Sequence, residues 1–319
     1  MAVKIAMIAT GRIAETQLAP AIAAAPGAEL WSVLSRDKSR AQAFADKHGA
    51  GSSSPAYTDL NALLADDELD AVLIASPDKL HAEQAIAAAR AGKHVLCEKP
   101  MTTDNEASQA MLEACDKAGV KFAIAYHMRW HDGHRKLAAA AHAGKFGTLR
   151  HMRVQWPMQS SPDNWRAGTE LGRWWPLSGV GTHCLDQIRW FMCKDHGEVV
   201  RLQSLITREV YKGPHEETAV LAMQFESGAT AEMCNSVLFP GPRLMELYGS
   251  DGFALCENTL GPDGGGSIRT HEGTYAFEVV NPYVGEVVDF VRAIEENREP
   301  EVTGAEGARN VALLLEAVS

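Results

Sequence analysis

Residues 4–14 read KIAMIATGRIA: a short apolar run, a turn with one glycine, and the start of an alanine-rich stretch. Short apolar runs bounded by turns are the sequence form of strands buried on both faces, and helices follow them in α/β chains. The same alternation continues to about residue 125. Strand-like runs fall at Lys4–Ala9, Glu29–Leu34, Ala71–Ile74, His94–Cys97 and Lys121–Ala125. Helix-like stretches separate them at Ile13–Ala25, Ser39–Lys47, Leu60–Leu64, Ala82–Ala91 and Asn105–Lys117, most ending at glycine turns such as Ala118-Gly119. Strand, helix, strand in this rhythm predicts βαβ crossovers and a doubly wound parallel sheet over residues 1–122.

Beyond residue 125 the rhythm changes. After a short helix at Gly133–His142, strand-like segments come one after another: Leu149–Gln155, Glu198–Thr207, Thr218–Phe225, Thr230–Val237, Arg243–Tyr248, Gly252–Leu255 and Ser267–Thr270. One helix, Gly181–Met192, interrupts them. Consecutive strands without crossover helices predict an α+β second domain, residues 123–319, built on a large, mostly antiparallel open sheet. The glycine-rich Gly261–Ser267 reads as a hairpin loop, and the terminal helix-like stretch 306–318 is expected to pack back towards the first domain.

Composition excludes several classes. The chain has 319 residues, 46% hydrophobic and 22% charged, the mix of a globular protein and not of a disordered one. Its 30 Lys and Arg against 41 Asp and Glu give a net charge of −11, a poor balance for gripping nucleic acid or anionic lipid. No apolar run approaches the roughly 20 residues that a bilayer span requires. The six cysteines are scattered without a C-x-x-C, as expected of reduced core thiols in a cytoplasmic protein.

The turn Ala9-Thr10-Gly11-Arg12-Ile13-Ala14 stands where a dinucleotide fingerprint, G-x-G-x-x-G/A, joins the first strand of a Rossmann sheet to its helix. Alanine replaces the first and last glycines, but Gly11 keeps the middle position, where a side chain would collide with a pyrophosphate. The helix that follows offers its unpaired N–H groups to the phosphates. The second strand ends in Ser35-Arg36, with Arg40 nearby and the acid Asp37 two positions late. A hydroxyl and guanidinium forks suit a ribose 2′-phosphate, so NADP is expected over NAD.

The fourth of these strands ends in Cys97-Glu98-Lys99-Pro100. Here the chain resembles the Gfo/Idh/MocA oxidoreductases, named for glucose–fructose oxidoreductase and inositol dehydrogenase. The likeness is strongest over Ala85–Pro100, AIAAARAGKHVLCEKP. It extends through Ser76, Pro77 and His81 after the third strand, Met128-Arg129-Trp130-His131 after the fifth, Trp165-Arg166, Gly179–Asp186 and Tyr283. With NADP expected from Ser35 and Arg36, the resemblance implies an enzyme of EC 1.1.1 type that moves hydride between the nicotinamide and a secondary alcohol or ketone of a sugar, sugar derivative or polyol.

By the same resemblance Lys99 and His183 share proton transfer and, with Asp186, bind substrate. A desolvated lysine beside a nicotinamide cation can act as a base near neutral pH. Ala9, Thr10, Gly11, Arg12, Ile13, Ser35, Arg36, Arg40, Ser76, Pro77, His81, Glu98, Lys99, Arg129, Trp165, Arg166 and Tyr283 are the expected cofactor contacts. No metal is expected, although His127, His131 and His134 superficially mimic ligand spacing; Gly133 interrupts them. The family's Asp-x-x-x-His is here Gly179-x-x-x-His183, which suggests a different substrate contact, a relay through Lys99 and His183 alone, or no catalysis; two other readings stand beside the main one. One is transient redox in an NAD-dependent glycosidase, the other a dinucleotide-sensing protein without catalysis. The resemblance also implies a homodimer or tetramer.

Overall fold

The structure, a computed structural model, describes residues 2–319. The chain divides into two compact units: residues up to Tyr126 with Tyr283–Val311, and His127–Pro282 with Ala312–Ser319.

In the first unit β1 (Val3–Ile8), β2 (Ala28–Leu34), β3 (Ala56–Tyr57), β4 (Ala71–Ile74), β5 (His94–Glu98) and β6 (Phe122–Ala125) form one parallel sheet in the order β3-β2-β1-β4-β5-β6. Chain order reverses between β1 and β4, so a crevice opens at their carboxyl ends. Ile5, Ala6, Met7 and Ile8 are all buried, as expected of a strand covered on both faces.

The crossover helices are α1 (Ala19–Ala24, entered through a π-turn at Ala14–Leu18), α2 (Lys38–His48), α3 (Leu60–Leu64), α4 (His81–Arg90) and α5 (Asn105–Ala118). Asp37, Asp59 and Asp104 cap α2, α3 and α5 by accepting from the N–H of Arg40, Ala62 and Ala107. Gly49 and Gly119 end α2 and α5 in the left-handed conformation.

The second unit carries α6 (Asp132–His142), α7 (Thr182–His196) and an eight-stranded sheet: β7 (Leu149–Pro157), β8 (Val199–Thr207), β9 (Thr218–Phe225), β10 (Thr230–Ser236), β11 (Leu244–Gly249), β12 (Phe253–Glu257), β13 (Ser267–Thr270) and β14 (Gly273–Thr274). Its order is β14-β13-β12-β11-β7-β10-β9-β8. The β7–β10 pair is parallel and the other pairs are antiparallel, so the sheet is mostly antiparallel as expected. Along β9 one face buries Ala219, Leu221, Met223 and Phe225 while the other leaves Val220, Ala222 and Gln224 exposed. The glycine-rich segment is a hairpin loop between β12 and β13, where a Cβ on Gly266 would come within 2.7 Å of the backbone.

Sequence reading and structure part most at the C-terminal end. Helix α8 (Pro282–Glu295) has no counterpart among the expected elements. Tyr283, Val287, Phe290 and Val291 on its inner face pack with Ile5, Met7, Leu73, Leu96, Ala123 and Ala125 of the parallel sheet. That packing draws 283–311 into the first unit, where a second domain running unbroken from 123 to 319 was expected. The chain then runs beside β6, the Ile124 N–H donating to the Val302 carbonyl, which covers a sheet edge. The last helix, α9 (Gly304–Ala317), sets Gly304 and Gly307 against Phe122 and Ile124, and its final residues belong to the second unit. Among the described residues no helix is long and apolar enough to cross a membrane, and all six cysteines are free, with Cys193 and Cys234 only half-buried.

Candidate active site

In the first unit the candidate residues gather where the parallel strands end. Ala9 leaves β1 with φ of 81°, the left-handed conformation that a glycine usually supplies at this point, at a cost of about 1–2 kcal/mol for an alanine. Its N–H donates to the Leu34 carbonyl, tying the turn to β2. A Cβ placed on Gly11 would meet nothing within 4 Å, so the turn has open space where a pyrophosphate would lie. Arg12 and Ile13 complete the turn, and the Glu15 N–H donates back to the Gly11 carbonyl as the helix begins. These features fit a dinucleotide.

At the end of β2, Ser35 is buried and receives the Thr10 hydroxyl at 3.4 Å. Arg36 and Arg40 are exposed. Between them Asp37 caps α2, accepting from the Arg40 N–H at 2.8 Å and the Ser39 hydroxyl at 2.6 Å. The Ser39 and Arg40 bonds hold its carboxyl below the usual range. The acid nearest to a ribose site is thus turned onto its own helix.

Past β4, the Ser76 hydroxyl donates to Gln84 and Pro77 opens a short turn into α4. His81, fully buried, spans two loops: Nε2 lies 2.8 Å from the Ser76 carbonyl and Nδ1 3.0 Å from the Pro100 carbonyl. The Lys99–Pro100 bond is cis. Lys99 is half-buried, and its N–H donates to the Glu98 carboxylate at 3.2 Å. Tyr283, at the start of α8, is 3% exposed, and burial pushes its phenol well above the ordinary value.

The second unit holds Arg129, Trp165, Arg166, His183 and Asp186. Arg129 and Asp186 form a buried two-point ion pair, Nε–Oδ2 2.9 Å and Nη2–Oδ1 2.6 Å, so both Asp186 oxygens are engaged. His183, in the first turn of α7, has His127 edge-on at 4.8 Å and Trp156 stacked at 5.9 Å. The Arg166 guanidinium lies 4.0 Å from the Trp165 ring and donates to the Ser178 hydroxyl. His131 accepts the His134 N–H at the start of α6 and stacks on that ring at 4.2 Å. Burial lowers the pKa of both imidazoles, that of His134 well below the ordinary value. Gly179 lies in a π-turn, Leu177–Gly181, and a Cβ there would meet nothing within 4 Å.

Two family descriptions match: "Oxidoreductase family, NAD-binding Rossmann fold" over residues 3–126, and "GFO/IDH/MocA C-terminal domain" over residues 134–255. The chain belongs to the GFO/IDH/MocA oxidoreductase family. It is 30% identical over 307 residues to D-xylose 1-dehydrogenase (NADP(+)) 2 of Haloferax volcanii, covering 93% of this chain and 90% of that one. It is 29% identical over 301 residues to 1,5-anhydro-D-fructose reductase of Ensifer adhaerens, covering 92% and 89%. Aldose-aldose oxidoreductase of Caulobacter crescentus superposes with a TM-score of 0.93 over 100% of this chain and 97% of that structure, at 22% identity.

Among the further acids that this GFO/IDH/MocA chain buries, Glu286 and Glu216 bear on the site and have no part in the sequence reading. Glu286 is on α8, three residues after Tyr283, and an acid inside that helix's apolar stripe was its only signal. Glu216 precedes β9. Its carboxylate accepts the N–H of Trp175 at 2.9 Å and of Leu177 at 3.0 Å, anchoring the π-turn that leads into α7 and His183. Burial outweighs these bonds and pushes its carboxyl up to about 7. A carboxyl raised on folding stabilises the fold below its unfolded value near 4.5, and that contribution is lost as pH rises through about 7. Thermal denaturation should therefore show a fall in stability across this window that Glu216→Gln flattens. Identical pH slopes for the two proteins would contradict it.

Proposed function

We propose that this chain is an NADP-dependent oxidoreductase acting on a secondary alcohol or ketone of a sugar, sugar derivative or polyol. The observation that carries the reading is Lys99, half-buried at the end of β5, in a turn that His81 ties to the end of β4. Names of relatives support the substrate class: besides the xylose dehydrogenase and the anhydrofructose reductase, a myo-inositol 2-dehydrogenase of Thermotoga maritima is 28% identical over 82% of this chain. A bound nicotinamide would accept or supply the hydride.

In this reading Ala9, Thr10, Gly11, Arg12 and Ile13 cradle the pyrophosphate, and Ser35, Arg36 and Arg40 hold the 2′-phosphate. The use of Asp37 as a helix cap supports NADP, since no carboxylate then competes for the ribose. Ser76, Pro77, His81, Glu98, Arg129, Trp165, Arg166 and Tyr283 are assigned to the cofactor. Lys99 takes the hydroxyl proton during oxidation and returns it during reduction, and His183 assists. Asp186, expected to bind substrate, is assigned to the site through Arg129, whose orientation it sets. The free cysteines support a reducing, cytoplasmic setting.

Self-association through the open face of the second sheet is part of the same proposal. Leu205 is 74% exposed, and Val220, its partner in the ladder, 37%. Sedimentation at micromolar concentration should give a dimer or tetramer that Leu205→Asp weakens, and a wild-type monomer would overturn this assignment.

With NADP and a panel of aldoses, keto sugars and inositols, absorbance at the reduced-nicotinamide band should reveal a substrate. On that substrate Lys99→Ala should lower kcat by about 10²–10⁴-fold, the usual worth of a general acid–base. Full activity of Lys99→Ala would remove Lys99 from the mechanism.

A further inference from the structure

Glu286 belongs to none of the roles above, yet it is set into the floor of the nucleotide-binding unit. Val287 and Phe290 of α8 share one buried apolar cluster with Leu96 of β5 and Ala125 of β6. Successive side chains of a strand alternate in direction, so Glu98 shares the face of Leu96, and Ala125 lies opposite Glu98 in the ladder. The carboxyl end of β5 and the start of α8 therefore bring Glu98, Tyr283 and Glu286 into one buried neighbourhood. Glu286 is 1% exposed, and neither of its carboxyl oxygens has a hydrogen-bond partner.

The other two carboxyls nearby are provided for. Glu98 accepts the Lys99 N–H. Asp289, three residues along α8, pairs with Arg298 at 2.8 Å and accepts the Glu301 N–H. The charged groups that act on Glu286 are Glu98 from β5 and Asp289 from its own helix, both acidic, and the Tyr283 phenol is the third titratable neighbour. Burial first, and then these two acids, push the Glu286 carboxyl well above the usual range. Two ionised carboxylates in one dry neighbourhood repel, so such a pair retains a proton.

We propose that Glu98 and Glu286 form a carboxyl pair that carries a single negative charge, the proton staying on Glu286 and the charge on Glu98 at the nicotinamide end of the dinucleotide. Glu286 is a positioning residue: it acts through Glu98. The inference rests on the cofactor role proposed for Glu98. An anion there favours the oxidised, cationic nicotinamide over the neutral reduced ring. Loss of the Glu286 proton adds a second negative charge and strengthens that preference.

Two measurements test the pair. Infrared difference spectra of the protein without nucleotide, wild type against Glu286→Gln, should show at neutral pH a protonated-carboxyl band that belongs to the wild type and fades at alkaline pH. Fluorescence titrations should show the affinity ratio of NADP⁺ to NADPH rising about ten-fold from neutral to alkaline pH in the wild type. That rise should be lost in Glu286→Gln and in Glu286→Leu, the second variant guarding against a folding defect in the first. Glu98→Gln should lower the ratio at neutral pH by about ten-fold. No wild-type band at neutral pH, or a rise that survives both Glu286 variants, would overturn the pair. A band without binding of either nucleotide would instead overturn the cofactor reading of Glu98, and the role given to Glu286 with it.

Discussion

A parallel sheet sends every strand out at the same edge, and on this constraint the rest of the molecule depends. β1 delivers Ala9 to Ile13, β2 delivers Ser35 and Arg36, β4 delivers Ser76 and Pro77, and β5 delivers Glu98 and Lys99. None of these residues is brought in by a long loop. Their spacing follows from strand separation and from the reversal of order between β1 and β4. His81 then joins two neighbouring exits with one buried ring, so the turn carrying Lys99 is fixed to the scaffold.

The second constraint is the cover of that sheet. α8 returns from far along the chain to lay an apolar face on β1, β4, β5 and β6, and it brings Tyr283 and Glu286 with it. A carboxyl in such a place costs stability unless it is neutral or paired. The second unit treats its buried charges differently. Arg129 and Asp186 satisfy one another, and Glu216 accepts two backbone N–H groups on one carboxylate oxygen ahead of α7.

Much of this is legible in the amino-acid sequence alone. Buried parallel strands are continuous apolar runs, so β1, β2, β4, β5 and β6 stood out to within a residue or two at each end. The two-residue β3 and β14 were too short to carry a pattern, and the parallel β7–β10 pairing is set by tertiary packing that no local signal records. Helix α8 was missed because its face is built largely from valines, whose propensity favours strands, and because its destination lies in the other half of the chain. Lys99 and His183 came from a resemblance and not from spacing. The cap formed by Asp37 and the bonds of His81 are not legible there, since each depends on where a side chain turns.

At the carboxyl edge of the first sheet the deciding property is whether NADP binds. Titration of the purified protein with NADPH and, separately, NADH, followed by nicotinamide fluorescence, tests it most directly. Micromolar NADPH binding and much weaker NADH binding are expected. A preference for NADH would reduce Arg36 to surface charge and contradict the 2′-phosphate site, and binding of neither would contradict the dinucleotide reading itself.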